Sequence, residues 1–183
     1  MKFKEFCKKY ILRFPVIELI VFALIIFIDQ LSKGLVAREA TANGGSYVAN
    51  VLGSFLQIHY AENTGASWSL LADRPWAQTF FLVLTSIVIP VFIVYLIFGR
   101  KKSLLFRISV TLIISGALGN FIDRVFLRHV RDFISFSFFN PIFNIADSAL
   151  VIGVCLFVLY AVLDIIKDYK AKKAPEEKEG AEQ

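Results

Sequence analysis

Apolar residues occur in four long runs along this chain, separated by shorter polar connections. The runs cover about residues 14–36, 76–98, 104–126 and 146–166. An α-helix of about 20 residues, with a rise of about 1.5 Å per residue, spans the roughly 30 Å hydrocarbon core of a bilayer. Each run is long enough for this, so the pattern predicts four membrane-spanning helices.

The two connections that join runs one to two and three to four have patterns of their own. In the connection at residues 37–75, an Asn-Gly-Gly turn signal at 43–45 precedes residues 51–60, which are rich in β-branched and aromatic side chains with partial alternation. This predicts a small β-rich subdomain. Residues 127–143 carry five phenylalanines beside two arginines, which predicts an interfacial loop.

Basic residues flank the apolar runs on alternate connections. They cluster before the first run, between the second and third, and after the fourth. Positively charged flanks stay on the cytoplasmic side of a membrane, so both termini are expected in the cytoplasm and residues 37–75 outside. The net charge is +5, but because the basic residues act as these topology signals we predict no nucleic-acid partner.

The composition agrees with a membrane protein. Hydrophobic residues make up 57% of the 183 residues, too high a share for a soluble domain of this size. Residues 1–167 are expected to form one four-helix domain, and the charged residues 168–183 predict a disordered cytoplasmic tail. The predicted fold class is an all-α membrane protein with four transmembrane helices, a small extracytoplasmic β-rich subdomain and an interfacial loop.

Polar and charged residues interrupt the apolar pattern at five places, and the predicted topology brings all five to one face of the membrane. Helices 1 and 3 end on that face and helix 4 begins there. Ionisable side chains at such depths are costly unless they face a partner or a wet cavity. The convergence therefore predicts a functional site near the outer leaflet. The clusters are Asp29 with Lys33, Asn63, Asn120 with Asp123 and Arg124, Asp132, and Asn144 with Asp147.

Structural roles account for some of these residues equally well. Asp29 with Lys33, one helical turn apart, would form an ion pair that fixes a helix end. We expect the same role for Asp123 with Arg124, in preference to catalysis by Asp123. Asp147 would serve as a cap of helix 4, whose N-terminus favours an acceptor and a negative charge.

The available side chains favour carboxylate chemistry. The sequence has no His/Cys cluster with metal-ligand spacing, so neither a metal nor a cofactor is expected, and no serine stands in a clear relation to a histidine. Two aspartates held close together cannot both ionise easily, so one serves as an acid and the other as a base. Asp132 and Asp147 are the best pair because they bracket the short connection between helices 3 and 4. The pattern is typical of an aspartic peptidase, in which water attacks the peptide carbonyl.

Five ordered segments of the chain resemble the lipoprotein signal peptidases, also called signal peptidase II. They read DQLSK at 29–33, NTGASW at 63–68, GALGNFIDR at 116–124, DFI at 132–134 and FNIADS at 143–148. Five motifs in one order are far more specific than any single motif. The resemblance extends over nearly the whole chain outside its termini.

The resemblance implies a four-helix aspartic peptidase of the bacterial inner membrane, without a cofactor. Such an enzyme removes the signal peptide from prolipoproteins just before a diacylglyceryl-modified cysteine. It also implies Asp132 and Asp147 as the catalytic pair, membrane lipids as the surroundings and globomycin-type inhibitors as ligands. The residues implied to shape or support the site are Asp29, Lys33, Asn63, Gly116, Asn120, Arg124 and Asn144, to which Asp123 is added as the expected ion-pair residue.

Three further points concern the two aspartates. Arg131 precedes Asp132 where an apolar residue is common in this family, so a local positive charge is expected to lower the pKa of Asp132. Which aspartate is protonated at rest stays undecided, because coupled carboxyls share their pKa values. A small proton-coupled transporter would also place aspartates in a helix bundle, but its sites should lie near the midplane on broken helices.

Overall fold

A computed structural model describes residues 16–65, 74 and 76–179. Residues 66–68, the second half of the NTGASW segment, lie outside this part of the chain, as do the basic N-terminal residues. In chain order the elements are helix α1 (Val16–Ala42), strands β1 (Val48–Leu52) and β2 (Leu56–Asn63), helices α2 (Ala77–Phe98) and α3 (Leu104–Leu127), strands β3 (Val130–Phe136) and β4 (Phe139–Phe143), and helix α4 (Ile145–Glu179). A single turn of 3₁₀ helix, Gly99–Lys101, links α2 to α3.

All four helices are long and apolar enough to cross a membrane, which confirms the four predicted spans. Helix α3 lies at the centre of the bundle, because 56% of its most apolar window is buried, against 11% or less in the other three helices. Large apolar side chains of α1, α2 and α4 are exposed along their length. This is the arrangement expected of helices that face lipid.

Helix α3 packs closely against α4 because glycine removes side-chain bulk between them. A Cβ atom on Gly116 would collide with the carbonyl oxygen of Ala146 and lie 2.8 Å from the backbone nitrogen of Leu150. A Cβ atom on Gly153 would lie 2.8 Å from the backbone nitrogen of Ile113. Backbone atoms cannot yield as a flexible side chain does. The close approach brings the start of α4 beside the polar residues of α3.

The four strands form one antiparallel sheet in the order β1-β2-β3-β4. It lies at the end of the bundle where α1 and α3 end and α4 begins, which we call the sheet end. The connection at 127–143 forms the β3–β4 hairpin, where the sequence predicts an interfacial loop. Pairing with β2, for example Ala61 with Asp132, satisfies backbone groups that an irregular loop beside a membrane would leave unpaired.

Two helices extend beyond their predicted ends. Helix α1 continues to Ala42, where the apolar run ends at about residue 36. Helix α4 continues to Glu179, into the charged residues from 168 onward for which the sequence predicts a disordered tail. A spanning helix supplies the costly nucleus, and residues with good helix propensity, such as Lys and Ala, then extend it without a need for burial.

Candidate active site

Five elements bring polar side chains together at the sheet end: α1, β2, α3, β3 and the first turn of α4. Most of these side chains are withdrawn from solvent, and buried charges in proteins require partners. Each should therefore have an identifiable contact. The predicted site residues that are at least nine-tenths buried are Asp29, Lys33, Gly116, Asn120, Asp123, Arg124, Asp132 and Asn144.

Asp132 and Asp147 line the same cavity, which has a volume of about 400 Å³. Asp132 comes from β3 and Asp147 from the first turn of α4. The structure thus places both predicted catalytic carboxyls on one space large enough for a water and a peptide segment. The other lining residues are mostly apolar and are Asn63, Phe139, Pro141, Ile142, Phe143, Ser148, Val151 and Ile152.

Two side-chain amides hold the carboxyl group of Asp132. The Nδ2 group of Asn144 donates to its Oδ1 at 2.6 Å, and that of Asn63 donates to its Oδ2 at 2.8 Å. The orientation of both amides is set by backbone N–H groups, which can only donate. Those of Asp147 and Gly65 donate to the Oδ1 atoms of Asn144 and Asn63, each at 2.9 Å. Each amide therefore presents its NH₂ group to Asp132.

Asp147 forms a reciprocal cap with Asn144 at the start of α4. The backbone N–H of Asn144 donates to Asp147 Oδ2 at 3.2 Å, while the backbone N–H of Asp147 donates to Asn144 Oδ1. From α3, Asn120 Nδ2 donates to Asp147 Oδ1 at 2.7 Å. The predicted capping contact is confirmed. Because the same carboxyl group also lines the cavity, capping does not exclude a chemical role.

Lys33 determines how the Asn120 amide is oriented. The Nζ atom of Lys33 donates to Asn120 Oδ1 at 2.9 Å. A lysine has donors only, so the amide oxygen faces Lys33 and the NH₂ group faces Asp147. Lys33 is fully buried and lies 2.9 Å from Asp29 and 3.6 Å from Asp123. The predicted Asp29–Lys33 pair is confirmed, and through Asn120 it reaches Asp147.

Asp29 also ties α1 to the start of α4. Its Oδ1 atom accepts a hydrogen bond from the backbone N–H of Ala146 at 2.8 Å, one of the groups that a helix N-terminus leaves without an intrahelical partner. Gly119 of α3 makes room for this contact. A Cβ atom there would lie 2.7 Å from Asp29 Oδ2 and 2.9 Å from Ala146 Cβ.

Asp123 pairs with Arg131 of β3, and the predicted Asp123–Arg124 pair is wrong. Arg131 Nη2 donates to Asp123 Oδ1 at 2.6 Å, and its Nε to Oδ2 at 3.1 Å. Successive side chains on an α-helix point about 100° apart, so Arg124 faces elsewhere. It donates to the carbonyl oxygen of Gly65 at 2.8 Å, and its guanidinium carbon lies 5.0 Å from the centre of the Phe81 ring.

Burial raises the pKa of Asp132 to about 7. Desolvation is the largest cause, the neighbouring Asp147 carboxylate acts in the same direction, and the amide hydrogen bonds oppose both. The expectation that Arg131 lowers this pKa is wrong, because its guanidinium is engaged with Asp123. A carboxyl that titrates near neutral pH is suited to giving or taking a proton at physiological pH.

Sequence reasoning missed Gln30, which joins three elements of the site. Its Nε2 group donates to Asp29 Oδ2 at 3.0 Å and to the carbonyl oxygen of Gly119 at 3.1 Å. Its Oε1 accepts from Arg131 at 3.0 Å. Its place beside Asp29 in the DQLSK segment was the available signal. Without knowledge of its partners, an uncharged side chain gives no reason to single it out.

The chemistry that this arrangement can support is proton exchange between two carboxyl groups and a water. Within the described part of the chain, no group of three or more His, Cys, Asp or Glu side chains is placed to hold a metal ion. The two aspartates together receive hydrogen bonds from three side-chain amides, of Asn63, Asn120 and Asn144. Such bonds hold the carboxyl groups in place before a substrate arrives.

Comparisons with known proteins identify relatives that share most of the length of this chain. A family model described as signal peptidase II matches residues 21–163. The chain is 39% identical to the lipoprotein signal peptidase of Enterococcus faecalis over 153 residues, covering 83% of this chain and 91% of that protein. For the lipoprotein signal peptidase of Staphylococcus haemolyticus the identity is 37% over 169 residues, covering 91% and 99%. A solved bacterial membrane enzyme is 32% identical with a TM-score of 0.68, covering 83% of this chain and 91% of that one.

Proposed function

Because this chain belongs to the signal peptidase II family, we propose that it cuts prolipoproteins by aspartic-peptidase chemistry at Asp132 and Asp147. The cut falls just before the diacylglyceryl-modified cysteine. The observation that carries the proposal is that both carboxyl groups line one cavity while amides of defined orientation hold them. The similarity to peptidases leaves the transporter alternative without support.

In the proposed reaction a water in the cavity attacks the peptide carbonyl. The ionised aspartate takes a proton from the water, and the protonated aspartate gives one to the carbonyl oxygen. The tetrahedral intermediate then collapses as the cysteine amine accepts a proton and leaves. The pKa of Asp132 near 7 supports a role for this residue in proton transfer, because a carboxyl with that pKa holds and releases a proton at physiological pH.

The apolar walls of the cavity support the proposal that the substrate carries a lipid. Val151 and Ile152 line the cavity and are also more than half exposed on the surface of α4, where lipid would surround the helix. The diacylglyceryl group favours staying in the bilayer because exposing its acyl chains to water is unfavourable. A site at the end of a membrane span reaches the peptide bond without removing those chains from lipid.

The same proposal places the protein in the bacterial inner membrane, with both termini in the cytoplasm and the sheet end at the outer leaflet. The basic residues that flank the spans on the opposite end, such as Lys101 and Lys102, support this orientation. Prolipoproteins and membrane lipids are then the partners, and nucleic acid is not. A globomycin-type inhibitor would act by occupying the cavity at Asp132 and Asp147.

Cleavage of a lipid-modified prolipoprotein by purified, folded variants tests the proposal. D132N and D147N keep the size of the side chain but remove the carboxylate, so each should lower turnover roughly 10²- to 10⁴-fold. The double variant should be no worse than the poorer single one, because the pair acts as a unit. D164N is the matched control, since Asp164 pairs with Lys102 away from the site. A D147N protein that cuts at the parental rate would reduce Asp147 to a helix cap and refute the proposal.

A further inference from the structure

A second cavity, of about 210 Å³, lies beside Asp132. It shares part of its lining with the first cavity, so that Asp132 stands where the two meet. The residues common to both are Asn63, Asp132, Pro141 and Ile142, and the second cavity adds Ala61, Glu62 and Asn140.

The two cavities differ in the residues that line them. The first extends along α4 to Val151 and Ile152, which are exposed on a membrane span. The second is bounded by β2 and by Asn140 of β4, within the sheet that lies at the end of the bundle. The first cavity therefore includes the apolar surface of a membrane span, whereas the residues that line the second all belong to the sheet.

A lipid-modified prolipoprotein has the same division of polarity on the two sides of the cleaved bond. The signal peptide and the acyl chains are apolar and stay in the bilayer, whereas the segment after the modified cysteine leaves it. A substrate whose cleaved bond lies at Asp132 must therefore pass from an apolar surface to a polar one. The Asn140 amide, which both donates and accepts hydrogen bonds, suits a peptide segment.

We propose that the cavity formed by Ala61, Glu62 and Asn140 beside Asp132 binds the first residues of the mature lipoprotein, those that follow the modified cysteine. The proposal rests on the proposed function and adds to it the direction in which the substrate lies across the site. The apolar cavity then holds the signal-peptide side, and the sheet forms part of the substrate-binding surface.

Asn140 permits a sharp test, because it is exposed and lines only the second of the two cavities. A charge placed there stays in contact with water, so the fold should tolerate both N140D and N140K. The substrates are lipid-modified prolipoproteins that differ only at the second residue after the cysteine, which is Lys, Gln or Glu. N140D should prefer the Lys substrate and N140K the Glu substrate. Each preference should be roughly 1.5- to fivefold in kcat/KM, as expected of an exposed ion pair, and should weaken with added salt.

Two matched controls separate this effect from general surface charge. N50D and N50K place the same charges on β1 of the same sheet, at an exposed residue that lines neither cavity, and should show no preference. A second substrate series carries Lys, Gln or Glu at the third residue before the cysteine. The Asn140 variants should not distinguish the members of that series.

Photo-crosslinking tests the same placement without a charge at Asn140. In the D147N protein, which should hold substrate without turning it over, a photoreactive residue two positions after the cysteine should label Asn140, Ala61 or Glu62. A label confined to Val151 and Ile152 would overturn the proposal.

The kinetic results would overturn it in three cases. These are no charge preference in either Asn140 variant, a preference only in the series before the cysteine, or an equal preference in the Asn50 variants. A parental protein that cleaves none of the lipid-modified substrates would refute the proposed function as well, so the two failures are distinct.

Discussion

Replacing Gly119 with alanine tests how tightly α1, α3 and α4 are held together beneath the two aspartates. The new methyl group in G119A would lie 2.7 Å from Asp29 Oδ2 and 2.9 Å from Ala146 Cβ. Neither neighbour can move freely, because Asp29 is held by Lys33 and by the backbone N–H of Ala146. The substitution should therefore push the start of α4 away from α3.

The expected destabilisation follows from these contacts. Overpacking of this kind costs about 1–3 kcal/mol, and losing the buried Asp29–Ala146 hydrogen bond adds about 1–3 kcal/mol. Alanine gains about 1 kcal/mol over glycine in helix propensity, which a matched control removes. That control is G34A in α1, where a Cβ atom meets nothing within 4 Å. G119A should be less stable than G34A by at least about 1 kcal/mol, a difference of roughly 2–4 °C or more in melting temperature.

The assay is thermal unfolding of the purified proteins in detergent, followed by cleavage of a lipid-modified prolipoprotein below the melting temperature. G34A should match or exceed the parental protein in stability and retain its activity. G119A should lose activity beyond its loss of folded protein, because the displaced segment carries Asp147. Equal stability and equal cleavage by G119A and G34A would show that the three helices are not tightly packed at this point.

Three further outcomes are expected. N120A removes the amide that donates to Asp147 and leaves Lys33 paired with Asp29. Cleavage should therefore fall roughly five- to 150-fold, and cleavage at the parental rate would contradict this. The pKa of Asp132 is about 7 in the folded protein and about 3.9 in the unfolded chain. Between these two values the folded protein keeps a proton on Asp132 that the unfolded chain has lost. The free energy of unfolding should therefore decrease as the pH rises from about 4 to 7, by at most about 4 kcal/mol. The melting temperature of D132N should therefore fall less than that of the parental protein between about pH 4 and 8, and parallel curves would refute the argument. A chelator should leave cleavage unchanged, and activity restored only by added zinc would contradict this.

Local properties of the chain account for what could be predicted. The four spans follow from the length and hydropathy of each run, and the Asp29–Lys33 pair from a spacing of one helical turn. The cap at Asp147 follows from its position just after an apolar run begins. The gathering of the polar clusters follows from the order in which spans cross a membrane, because adjacent ends of consecutive spans must lie on one side.

The sequence by itself therefore determined that the protein lies in a membrane, where its four spans fall and which polar residues interrupt them. Each of these properties depends only on residues that are close together along the chain. Only the tertiary structure decided which of those residues touch. Asp123 pairs with Arg131 and not with Arg124. The Asn120 amide turns its NH₂ group to Asp147 because Lys33 and Asn144 both donate to its oxygen. These contacts join different elements, where a shift of one residue in strand register or about 100° in helix rotation would turn a side chain to another face. Packing around glycines such as Gly119 sets how α1, α3 and α4 meet, and the order of residues along the chain alone does not reveal it.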